Sequence, residues 1–196
     1  MNTDFLTPIH TVLEASLDVL LSGSIGSSIQ IYTQKNGFPD LNNIEIAILG
    51  VDEDRNTDDN FGSGKDLHHI RSHFYKLFPG NWNVPIADLG NIKKGETTSD
   101  THFAITEVIK SLLKMNIIPI IIGGGQDITF SNYKAYDQLE QTVNLVVVDS
   151  KFDLGNLEDN LSSKSYLSKI IMEVPTNLFN FSNIGYQTYL NPQEEI

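Results

Sequence analysis

Asp149 and Asp153 are the residues of this chain best placed to do chemistry. With Lys151 they form the run Asp149-Ser150-Lys151-Phe152-Asp153, directly after the apolar Val146-Val147-Val148. Side chains alternate in an extended segment, so positions 149, 151 and 153 fall on one side and one short loop can direct three groups into a single cavity. Earlier in the chain a second apolar run, Ile120-Ile121-Ile122, leads into Gly123-Gly124-Gly125-Gln126-Asp127. An open α/β sheet places its chemistry in such polar loops at strand ends. The glycines suit a tight strand-to-helix turn that needs unusual backbone angles. A phosphate loop is a poor match, because no lysine follows the glycines and the G-x-G-x-x-G spacing is absent.

Taken together, in this order and spacing, the two loops resemble the metal-binding loops of the ureohydrolase family (arginase, agmatinase, formimidoylglutamase). That family carries Gly-Gly-Asp-His-Ser at the end of the first strand, or Gly-Gly-Gly-His-Glu in its formimidoylglutamase branch, and Asp-Ala-His-x-Asp at the end of the second. The resemblance implies that Asp149 and Asp153 are metal ligands, that Asp127 matches the acidic residue of the glycine loop, and that Gln126 and Lys151 stand where histidine ligands belong. It implies paired manganese ions as cofactor and hydrolysis of non-peptide C–N bonds in a guanidino or formimino substrate. It extends to most of the chain from about residue 45: Gly64-Lys65-Asp66-Leu67-His68-His69-Ile70-Arg71 is similar to the family's Gly-Pro-x-x-Ile-Arg helix start, and Ile86-Ala87-Asp88-Leu89-Gly90-Asn91 to its Asp-x-Gly strand end. The family's later Ser-x-Asp-x-Asp-x-x-Asp-Pro motif does not occur. The expectation is the N-terminal portion of a ureohydrolase-like domain whose metal centre is degenerate and whose manganese is lost.

The two replacements have different physical consequences. Glutamine offers a carbonyl oxygen to a hard cation but no imidazole nitrogen to a borderline one. Lysine offers three donors, no lone pair and a positive charge. Three arrangements follow for Lys151: an internal ion triad with Asp149 and Asp153 that replaces the metal pair electrostatically, an exposed lysine beside two solvated acids, or a surviving weak metal site. The first is the favoured expectation.

These loops need a scaffold, and composition allows one. The 196 residues can bury a substantial core, and a hydrophobic share of 40% argues against global disorder. The formal charge of −12, from 25 acidic and 13 basic residues, argues against a nucleic-acid partner. There is no cysteine, so neither a disulfide framework nor a thiolate zinc site is available. No signal peptide or membrane-length apolar run is apparent, which makes a cytoplasmic location and no membrane partner the expectation. A small guanidino or formimino ligand and further copies of the chain stay open as partners.

Periodicity predicts a helical arm over residues 1–43, with an amphipathic helix after Pro8 carrying Ile9, Val12, Leu13, Leu17, Leu20 and Leu21, and a short extended piece at 29–33. Residues 44–196 read as alternating strands and helices: strands at 44–51, 85–89, 117–122, 145–148 and 177–181, helices at 66–78, 100–115, 128–139 and 163–172. Apolar strands without alternation imply a three-layer α/β/α fold around a mainly parallel sheet covered on both faces, incomplete by comparison with the family.

Other residues carry weaker signals. His69 and His73 have the i, i+4 spacing that can bind a metal from one helix face, with His68 beside them; ordinary surface histidines are the favoured reading. The acidic loop 52–60 reads as solvated, or as the mouth of a pocket. Ser131 and Thr129 have no recognisable nucleophile setting. A non-catalytic binding or assembly module is the rival to the enzyme reading, and a small-molecule sensor is a third.

Overall fold

Ile46–Val51 has no polar interruption, and an unbroken apolar strand needs cover on both faces. It accordingly lies at the centre of the sheet, with Ala47, Leu49 and Val51 completely buried. The computed structural model describes residues 1–57, 59–156 and 158–196; Asp58 of the acidic loop and Leu157 of the later polar loop lie outside the described residues. In chain order the strands and helices are β1 (Leu6–Thr7), α1 (Thr11–Ser16), α2 (Ile25–Ser28), β2 (Gln30–Ile31), β3 (Ile46–Val51), α3 (Leu67–Phe74), β4 (Ile86–Ile92), α4 (Thr98–Lys114), β5 (Ile118–Ile122), α5 (Ile128–Asp137), β6 (Val143–Val148), α6 (Tyr166–Ile171) and β7 (Leu178–Ile184).

β3 pairs in parallel with β4 on one side and β5 on the other, with Ile46 opposite Ile86 and Ile118. Strand alternation then divides the layers. Ala47, Leu49, Val51, Ala87 and Leu89 point into a core with Ala104, Ile105, Val108, Ile109 and Leu112 of α4. That helix begins at a capping box in which Thr97 and Asp100 satisfy each other's backbone N–H groups. On the opposite face, Asp88 of β4 accepts two hydrogen bonds from Arg71 of α3 (2.7 and 3.0 Å) and one from the Tyr75 hydroxyl (2.8 Å). Arg71 also donates to Gly90 O and Asn91 Oδ1. All three side chains of the Arg71–Asp88–Tyr75 group are buried, and a desolvated pair of this kind holds only because its remaining donors and acceptors are met. The resemblance of 64–71 and 86–91 to family motifs thus corresponds to one helix-to-sheet clamp.

The N-terminal arm of residues 1–43 is tied into the sheet. Leu6–Thr7 pairs antiparallel with β4 and Gln30–Ile31 pairs parallel with it, so the arm supplies two edge strands, and the helix after Pro8 covers only Thr11–Ser16 before a 3-10 turn at Leu17–Val19. Leu6 and Ile9 are buried while Val12 and Val19 are exposed, because packing on β4 and Tyr75 outweighs the helical spacing of the apolar residues. The mainly parallel α/β arrangement expected from the sequence is observed; within it β6 and β7 form a parallel pair of their own, and the five-stranded sheet ends at β5. Alternate apolar residues of β5 and β6 lack cover: Ile118 is 60% exposed, Ile120 44%, Val146 59% and Val148 80%. No helix among the described residues is long and apolar enough to cross a membrane.

Candidate functional site

The strand-end crevice comprises the loops at the carboxyl ends of β5 and β6, where the glycine loop and the aspartate loop line separate depressions. The glycine turn after β5 is demanded by close approach. Gly123 and Gly124 adopt φ of +83° and +86°, and a Cβ on Gly123 would lie 2.3 Å from Leu67 Cδ2, one on Gly124 3.0 Å from Glu53 O. The turn is fastened to the segment after β3 by Gly125 N–H donating to Glu53 O at 2.8 Å.

That segment is not the solvated loop expected from its acidity. Glu53, Asp54 and Thr57 are buried. Burial raises the Glu53 carboxyl, but hydrogen bonds from the Arg55 side chain and backbone and from Thr101 outweigh it and hold the group at about 2. Arg55 grips it in a fork (Nε to Oε1 2.9 Å, Nη2 to Oε2 2.5 Å) and reaches on to Glu96 O at 2.7 Å.

Beyond the turn, adjacent residues part company. Gln126 stays exposed in the crevice, its amide Nε2 a long 3.5 Å from the Tyr166 hydroxyl. Asp127, matched from the sequence to the acidic residue of the family loop, turns inward and is fully buried. Its Oδ2 lies 2.9 Å from Nε2 of His102, whose Nδ1 lies 2.5 Å from Ser131 Oγ. Ser131 therefore does have a partner histidine, contrary to expectation; a separation of 29 residues gave no signal of it. Ser131 is 1% exposed, so no substrate reaches this Ser–His–Asp set, and its effect is to lock α4, α5 and the glycine turn together. One atom of the lock, Asp127 Oδ1, is buried with no partner among the described residues.

At the end of β6, Asp149 Oδ1 accepts the Lys151 N–H at 3.0 Å and so bends the loop on itself. Asp153 takes a left-handed φ of +55°. Burial first, and the charge of Asp149 second, push the Asp153 carboxyl up to about 6, with Glu195 adding to the rise and Lys151 and Lys164 opposing it. The charge of Asp149 is thus felt at Asp153. Lys151 does not join them: it is exposed and makes no ion pair with either among the described residues. The internal triad is corrected on this point, for a physical reason. The loop ends at the surface, where an ammonium keeps its hydration instead of losing several kcal/mol to burial. Lys151 and Asp153 instead border a depression of about 340 Å³ with Lys164, Asn191 and Glu195.

The loop is held by the segment after β7. Asn191 Oδ1 accepts the Phe152 N–H (2.8 Å), its Nδ2 donates to Ser150 O (3.0 Å), and Phe152 stacks on Tyr186 at 5.0 Å. The aromatic, turn-rich stretch at 179–186 thus packs at a loop–sheet junction, as its composition suggests. Tyr166, the first residue of α6, is fully buried and went unnoticed in the sequence. Burial raises its phenol, against the opposing hydrogen bond with Gln126, and the charges of Asp153 and Asp149 add to the rise. No three His, Asp or Glu side chains converge as metal ligands among the described residues.

A model of the arginase family matches residues 44–196. The formimidoylglutamase of Macrococcus caseolyticus is 30% identical over 130 residues, which cover 62% of this chain and 41% of that protein. Among solved structures, the Bacillus subtilis formimidoylglutamase superposes with a TM-score of 0.71 at 20% identity, covering 81% of this chain and 53% of that one. A Trypanosoma cruzi formiminoglutamase with Mn2+ gives 0.71 at 20%, covering 80% and 57%. The chain therefore spans about half the length of the proteins it is similar to, or less, and at these identities the structures show a shared fold.

Proposed function

The chain belongs to the arginase family, and on that premise we propose that it is a formimidoylglutamase-like ureohydrolase relative whose strand-end crevice no longer assembles a paired metal centre. By kinship its reaction class is hydrolysis of a non-peptide C–N bond in a guanidino or formimino compound; as this polypeptide it is inactive. The carrying observation is the donor set at the two loop ends. Asp149 and Asp153 keep carboxylate oxygens, Gln126 presents an amide toward a tyrosine hydroxyl, and Lys151 presents an ammonium to solvent. Two manganese ions need several carboxylate and imidazole ligands in common, and this set does not fit them.

The test is metal analysis of the chain purified with manganese present, with assays on formimino-glutamate, agmatine and arginine. Substoichiometric manganese and no turnover are expected, with manganese retention rising when Gln126→His and Lys151→His are combined. Stoichiometric metal in the unaltered chain, or turnover by it, overturns the proposal. A role as a binding or assembly module is the second reading, favoured by the uncovered apolar rows of β5 and β6.

A further inference from the structure

Away from the strand-end crevice, four imidazoles form a row across the surface. Ring centroids of His10 and His68 are 5.8 Å apart, those of His68 and His69 6.0 Å, and those of His69 and His73 5.5 Å. The members are not equivalent. His10 caps α1 by accepting the Val12 N–H on Nδ1 at 3.2 Å, so when neutral its other nitrogen carries the proton and is closed to a metal. His68 is half-buried, in a small recess with Leu67, Arg71 and Asn91. His69 and His73 are both exposed, one helical turn apart on the same face of α3, with rings inclined at 71°.

We propose that His69 and His73 form a two-imidazole site for a borderline divalent cation (Cu2+, Ni2+ or Zn2+), completed by water. A metal about 2.1 Å from one nitrogen of each ring brings the two centroids to about 5 Å, which the observed pair reaches by small rotations of two exposed side chains. No third His, Asp or Glu converges on it among the described residues, so it is a low-coordination site on a surface and not a closed structural one. Imidazole donors select along the series that peaks at copper and places manganese lowest, so its metal differs from the family's. Bridging also bears on the fold. α3 is eight residues long, short enough to be marginal by itself, and its buried face carries Arg71, which holds Asp88. A cation spanning positions 69 and 73 ties together the turn that presents Arg71.

The experiment is calorimetric titration of the untagged chain with CuCl2, NiCl2, ZnCl2 and MnCl2, with electron paramagnetic resonance of the copper-loaded protein and melting curves with and without metal. One copper per chain is expected, with nitrogen hyperfine structure, affinity ordered Cu2+ over Ni2+ and Zn2+, negligible Mn2+ binding, and a rise in melting temperature. His69→Ala and His73→Ala should each weaken binding at least tenfold with metal-free melting unchanged. His68→Ala and the double variant Asp149→Asn/Asp153→Asn should leave it within twofold. Affinity indifferent to positions 69 and 73, or lost in the aspartate variant, overturns the assignment. The proposed loss of the family metal centre is not at stake here, because that variant addresses it separately.

Discussion

Single residues decide what this crevice can hold. An amide at Gln126 offers a cation only a carbonyl oxygen, whereas an ammonium at Lys151 offers no lone pair and adds positive charge. A tightly held ion pair lies beside the glycine turn. The Glu53 carboxyl is held at about 2 against an ordinary 4.5 by Arg55 and Thr101, despite its burial. A depressed carboxylate contributes stability that is fully present above the unfolded value and is lost as pH falls through the folded one. A shift of this size is worth on the order of 3 kcal/mol. The stability gap between the unaltered chain and Glu53→Gln, by urea unfolding, is therefore expected to be of that order at pH 7 and to narrow as pH falls from about 4.5 toward 2. A gap constant across that window would mean that the carboxylate is not held by its fork of donors.

At the scale of elements, short strands are kept in place by close contacts more than by their length. β1 contributes two residues, and Thr7 O approaches Gly90 of β4, where a Cβ would lie 2.0 Å away and φ is +76°. Gly90→Ala adds left-handed strain to that clash. It is expected to cost about 2 kcal/mol or more and to release β1, seen as faster amide exchange at Lys93, whose N–H donates to Phe5 O. Unchanged exchange there would show that β1 is anchored by Leu6 and Ile9 alone. The strands and helices of residues 44–196 are largely legible from apolar runs and their punctuation, since β3 and β5 are nearly unbroken apolar runs and α4 has a helical period. The arm was misread because its apolar residues fit a helical spacing, yet Leu6 and Ile9 bury against elements that lie far along the chain.

Across the whole molecule, the fold is that of the arginase family over its matched span, but the parallel sheet is divided between β5 and β6. Ile118 and Ile120 of β5, and Val146 and Val148 of β6, present alternating apolar residues to solvent. Exposed apolar rows of this kind bind amphipathic dyes and promote association. The folded chain is expected to enhance the fluorescence of anilinonaphthalene sulfonate, and Val146→Glu with Val148→Glu to reduce that signal markedly at unchanged secondary structure. A signal insensitive to both substitutions would place the dye elsewhere, with the depression bordered by Val19, Leu20 and Leu21 the next site to probe.

By itself, the amino-acid sequence determined the strand-loop units, their order, the kinship with the arginase family and the residue types at the two loop ends, because all of these are local properties of residue type and spacing. Only the tertiary structure decided which side chains are desolvated. It turned Asp127 away from Gln126 toward His102, buried Glu53 in an acidic loop, left Lys151 in water beside Asp153, and brought Tyr166 up to the crevice. Burial is set by segments tens of residues away, and no local pattern carries that information.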